Sequence, residues 1–89
     1  MVTVILSHEV QDFAVWKKAF DAGAPLRTQN GVVTTGVYTQ ADSPKHVTVT
    51  TEFPSLEAVR GFMASPALKE SMDEGGVVGQ PEVKILKKV

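Results

Sequence analysis

No cysteine occurs among the 89 residues, which excludes a disulfide framework and any zinc site built on thiolates. The two histidines, His8 and His46, stand far apart in the chain and are thin material for a structural metal. Nor does charge of one sign prevail: nine Lys and Arg face ten Asp and Glu, a formal net of -1. Nucleic-acid binding without sequence preference rests on clustered Lys and Arg, and no basic block runs through this chain. No apolar run approaches the roughly 20 residues a membrane helix needs. Met1-Val2-Thr3-Val4-Ile5-Leu6 lacks the basic start and small-residue cleavage site of a secretory leader. The expectation is a cytoplasmic protein with neither nucleic acid nor membrane as partner. Phosphate loops, nucleophile elbows and metal-ligand clusters are missing too, so no cofactor and no metal are expected.

What is present fits one domain over residues 1–89, since globular units usually run to about 100–200 residues. A chain this short buries only about 60–65% of the surface its unfolded form exposes. Burial gain and ordering entropy then nearly cancel, and small scaffolds usually add a staple. With disulfides and metals set aside, oligomerisation remains. The expected partner is a second copy of the chain.

Hydrophobic alternation predicts a strand from Val2 to about Glu9. Asp12 suits a helix N-cap, and Phe13, Trp16 and Phe20 then share one stripe of a helix running to about Ala22. Gly23 and Pro25 loosen or end it, and the segment through Asn30-Gly31 reads as a turn. The β-branched run Val32 to Gln40 predicts a second strand, with Gly36 a bulge or close approach. Ala41 to Lys45 reads as a turn and His46 to Phe53 as a third strand, paired with the second as a hairpin. Ser55 caps a second helix with Leu56, Val59 and Phe62 or Met63 inward, and Ser65-Pro66 restarts it as a short turn of helix. Gly75-Gly76 ends that piece. Gly79-Gln80-Pro81 leads into a last strand, Glu82 to about Lys88. The order is βαββαβ.

Two helices cover one face of a four-stranded sheet, and the other face must meet water or a partner. Val2, Val4, Leu6 and His8, with Val47, Val49, Thr51 and Phe53, suit the helix side. The opposite sets, Thr3, Ile5, Ser7 and Glu9 with His46, Thr48, Thr50 and Glu52, are neither a dry core nor a charged surface. Such a half-polar face suits a second sheet packed across it at about 10 Å, with room for a small molecule. The plainer alternative is that Thr is simply a good residue for an exposed strand.

Several stretches carry a resemblance. They are His8-Glu9-Val10-Gln11-Asp12-Phe13 running into Trp16-Lys17-Lys18-Ala19-Phe20-Asp21, then Glu52-Phe53-Pro54-Ser55-Leu56-Glu57-Ala58. Phe62-Met63-Ala64-Ser65-Pro66-Ala67-Leu68 and Gly75-Gly76-Val77-Val78-Gly79-Gln80-Pro81 complete the set. Over nearly its whole length the chain resembles the dimeric α+β barrel proteins of the antibiotic-biosynthesis-monooxygenase-like group. The resemblance implies an α+β, ferredoxin-like sandwich: a four-stranded antiparallel sheet with two helices on one face, pairing sheet to sheet into a homodimeric barrel. It also implies a pocket between sheet and helices. Activities in the group include cofactor-free oxygenation of aromatic polyketides, polyketide cyclisation and haem degradation. Haem degradation is disfavoured, because Ser7 and His8 stand where that pattern has asparagine and no tryptophan lies in the second half. The oxygenase asparagine and tryptophan pairing does not map onto Asn30 and Trp16 either.

His8 is a candidate proton acceptor, since imidazole exchanges protons near neutrality; it could equally satisfy backbone groups at a strand end. Tyr38 could bond a substrate oxygen, or simply pack with its hydroxyl wet. Glu52 is a candidate base if its face is enclosed, because burial raises a carboxyl pKa, and a solvated charge if not. Ile5, Trp16, Thr48 and Thr50 are expected to line the pocket around a small apolar or aromatic molecule, although an aromatic stripe such as Trp16 and Phe20 is more often core. Lys84, Lys87 and Lys88 read as solvated or edge-protecting charges. A non-catalytic ligand-binding or interaction protein could use the same dimer and pocket. RNA-recognition modules share this element order but stack bases on aromatics of the central strands, and His46 is the one ring on that exposed set.

Overall fold

The computed structural model describes the whole chain, Met1–Val89. Alternating apolar residues make β1 (Val2–Val10), in which Val4, His8 and Val10 are buried and Glu9 is exposed. Asp12 caps α1 (Phe13–Ala22), its Oδ1 accepting from the Ala14 and Val15 amides at 2.9 and 3.2 Å. Gly23 interrupts the chain without ending its helical course. A second helix, α2 (Ala24–Gln29), follows where the sequence suggested loop and turn. The physical reason is that Pro25 falls in the first turn, where its missing N–H costs nothing and its fixed φ suits a helix.

β2 (Val33–Gln40) and β3 (Ser43–Phe53) form the expected hairpin, with a register shift at Gly36. β3 begins three residues before the expected His46 because Gln40 already faces Ser43 across a tight turn. Pro44 and Lys45 lie in the irregular stretch before β1 pairing starts, where proline's lack of a donor is harmless. Ser55 Oγ accepts from the Ala58 amide at 3.1 Å and caps α3 (Leu56–Met63). Val59 and Phe62 of α3 are buried, whereas Leu56, expected on the inner stripe, is exposed at the first helical position. α4 (Pro66–Glu74) ends at Gly75. β4 (Val77–Lys87) starts well before the expected Glu82. Gly79 there adopts φ 71°, which a glycine tolerates, and the strand passes through a bulge instead of breaking.

The sheet is antiparallel with order β2-β3-β1-β4, the ferredoxin-like arrangement. All four helices lie on the Val4 side. One apolar cluster joins Val4 and Phe53 to Val32, Val59 and Phe62; a second joins Val10, Val47 and Val49 to Trp16. On the opposite face the polar residues pair across strands. Thr3 donates to Glu52 at 2.7 Å, Ser7 meets Thr48 at 2.9 Å and Thr35 meets Thr50 at 2.8 Å. No helix is long and apolar enough to cross a membrane.

Candidate functional site

The two apolar clusters do not fuse into one solid core. Between them, under the helices, lies a cavity of about 80 Å³. Twelve of its sixteen lining residues are hydrophobic. The four polar ones, His8, Arg27, Thr51 and Ser71, therefore define its chemistry, and no carboxylate reaches it. Thr51 is already engaged, donating to the Val4 carbonyl at 3.2 Å.

His8 keeps the inward phase of β1, in register with Val47 of β3, and lies opposite an irregularity in β4. Between the pairs Glu9–Val78 and Ser7–Glu82, β1 has the single residue His8 while β4 has Gly79, Gln80 and Pro81. Such bulges recur beside active sites. The imidazole is 4% exposed, and its Nδ1 is buried with no hydrogen-bond partner. Burial, and secondarily the charge of His46, lowers its pKa from the ordinary 6.5, so it is neutral at pH 7 and able to accept a proton.

An aromatic wall runs from this imidazole along α1. His8 meets Trp16 edge-on at 5.6 Å, Trp16 stacks on Phe20 at 5.0 Å, and the Arg27 guanidinium lies 3.8 Å from the Phe20 ring centroid. Arg27 also donates to the Phe20 carbonyl at 2.9 Å. Gly75 is buried against Trp16: a Cβ there would stand 3.1 Å from Trp16 Cδ1. The end of α4 thus holds the indole in place.

The seven residues singled out from sequence do not form one site. His8 and Trp16 line the cavity. Ile5, Thr48, Thr50 and Glu52 sit on the other face of the sheet, where Ile5 faces Thr50 and Glu52 accepts from Thr3. Tyr38 pairs with Thr48 on that same face and is exposed, its ring folded over Gly36. The cavity lies on the helix side, so Leu6 and His8 of β1 line it while Ile5 and Ser7, their neighbours along the strand, point to the opposite face. His46 also belongs to the open face, beside Glu9. Nowhere do three His, Asp or Glu side chains come together as metal ligands.

Arg27 and Ser71 were missed. Arg27 had a signal: Phe13, Phe20 and Arg27 recur at intervals of seven, one helical stripe if the helix is carried through Pro25. Ser71 had none, being one serine among polar residues of α4.

No protein-family model matches the sequence, and no curated protein matches it. Solved structures do. A candidate antibiotic biosynthesis monooxygenase from Caulobacter crescentus superposes with a TM-score of 0.80 at 18% identity, covering 99% of this chain and 89% of its own. A second one, from Bordetella bronchiseptica, gives 0.79 at 19% identity over 99% and 96% of the two chains. SnoaB, a cofactor-independent oxygenase from Streptomyces nogalater, gives 0.77 at 15% identity over 98% and 91%. The chain has the antibiotic biosynthesis monooxygenase fold. At these identities the likeness speaks for architecture, and the chemistry must be argued from the cavity.

Proposed function

We propose that the chain is a homodimeric, cofactor-independent oxygenase that takes a small aromatic molecule into the cavity between sheet and helices. One observation carries the reading: a buried imidazole, held neutral and with its Nδ1 unpartnered, lines a chamber that is apolar in twelve of its sixteen residues. An unpaired buried polar atom costs roughly 1–3 kcal/mol, a cost that a bound ligand would remove.

The His8 imidazole would take the proton from an acidic C–H or O–H of the substrate, leaving a delocalised carbanion or phenolate. That anion gives electrons to dioxygen and a C–O bond forms. For an aryl methylene, one O2 is consumed, the CH2 becomes C=O, and water leaves with the second oxygen and both hydrogens. The imidazolium returns its proton to the departing oxygen. Apolar walls suit this chemistry because they hold the ring and keep bulk water from the anion.

The homodimer is part of the reading. The face carrying Ile5, Val33, Tyr38 and Leu86 has no helix over it, and the last three are exposed. A second sheet laid across it would cover these side chains.

The test is incubation with anthrone under air, following oxygen uptake and product mass. Uptake matched to formation of the anthraquinone supports the proposal, with turnover falling at least about 100-fold in His8→Phe. Turnover unchanged by that substitution removes the role of His8. Saturable binding with no product points instead to a ligand-binding protein, and an isomeric or dehydrated product to a cyclase.

A further inference from the structure

We infer that Arg27 reads the charge of the ligand, so that the cavity selects aromatic molecules bearing an anionic oxygen, a carboxylate or a phenolate. The inference rests on the cavity being a ligand site, as proposed above, and adds which chemical class it takes.

A guanidinium carries five N–H donors and cannot discharge at working pH. In this structure only one of its bonds is accounted for, Nη1 to the Phe20 carbonyl. No carboxylate pairs with it. The nearest acid in sequence, Asp21, is held by Lys17 at 2.6 Å, and that is the one salt bridge in the molecule. The cavity wall contains no Asp or Glu. Arg27 is thus the sole full charge on an apolar chamber, partly desolvated, with Asp21 acting on it through space but not bonded to it.

Its location strengthens the point. An outer groove beside α2, lined by Thr28, Gly31 and Thr34 among others, shares Arg27 and Val32 with the cavity. Arg27 therefore stands where the chamber meets solvent. His8 is reached from it along the wall by way of Phe20 and Trp16. A planar ring lying against that wall would present one edge to the proton acceptor and the other to the guanidinium. An anionic oxygen at the second edge gains a charge-assisted hydrogen bond, while a neutral isostere of the same shape does not.

Arg27 also ties α1 to α2 through Phe20, a structural part that any ligand would leave unchanged. Selectivity between charged and neutral ligands separates the two roles. Calorimetric titration of the intact protein with 2-naphthoate and benzoate, each against its amide, is the experiment. Wild type is expected to bind the carboxylates at least about tenfold more tightly than the amides, the scale of one hydrogen bond to a charged group. Arg27→Gln should bring that ratio close to one while amide binding persists, and Arg27→Lys should restore part of it. Equal binding of acid and amide by wild type overturns the inference and leaves the cavity standing as a site. A preference that survives in a folded Arg27→Gln protein also overturns it. Binding of none of the four probes overturns both this inference and the ligand site beneath it.

Discussion

His8 is a residue whose structural cost and chemical use are separable by measurement. Unfolded, it titrates at its ordinary 6.5; folded, burial lowers that value. Between the two, the unfolded chain holds more protons, so this contribution to stability is complete above 6.5 and is lost as pH falls through the window. Thermal melts from pH 7.5 downward should show a falling Tm in wild type and a weaker fall in His8→Leu. At pH 7, His8→Leu should also be more stable by about 1 kcal/mol, because it replaces an unpartnered buried nitrogen with an apolar group of comparable size. Loss of stability on that replacement would show that the nitrogen has a partner in solution. Trp16 behaves oppositely. It is 5% exposed and touches His8, Phe13 and Phe20, so Trp16→Ala should cost about 3–5 kcal/mol in a denaturant titration, enough to unfold much of a marginal domain.

Among the elements, α1 carries the Trp16–Phe20 stack of the cavity wall and depends on its ends. Asp12 satisfies two amides of its first turn, and Asp12→Ala should lower stability by about 1 kcal/mol in urea. At the other side of the indole, Gly75→Ala would place its Cβ 3.1 Å from Trp16 Cδ1 and 3.4 Å from the Ser71 carbonyl. A changed Trp16 emission maximum with weakened ligand binding is the expected outcome. An unchanged spectrum and affinity would mean the indole is not held from that side. The bulge in β4 is the subtler device. Gly79, Gln80 and Pro81 look like a loop because two of the three disfavour a regular ladder. Inside the sheet they are the reason that His8 has no direct partner on β4.

For the whole molecule the decisive feature is that helices cover one face alone. Only 11 of 89 residues are buried in the isolated chain, a small core for independent stability. Light scattering at micromolar concentration should return about twice the 9.6 kDa chain mass. Ile5→Lys, a charge placed in the middle of the open face, should return the single mass with the helical and strand content preserved. A single mass for wild type would remove the homodimer from the proposal, though not the cavity on the helix side.

Much of the architecture was written locally. Period-two alternation in Val2–Val10 and in Val47–Phe53, the caps Asp12 and Ser55, and the aromatic stripe of α1 each act within a few residues, so element order and the inward set could be read from the chain itself. What lay beyond it was every fact that depends on residues distant in sequence meeting in space. Pairing register put the bulge opposite His8. The separation of two apolar clusters left a chamber between them, and packing of α2 against α1 brought Arg27 onto the same wall as a histidine nineteen positions earlier. Strand periodicity says that Ile5 and Leu6 face opposite ways, and composition puts Leu6 on the helix side, but neither says that a chamber stays open there. Side-chain volumes and long-range contacts decide that, and with it the pocket and the charge at its mouth.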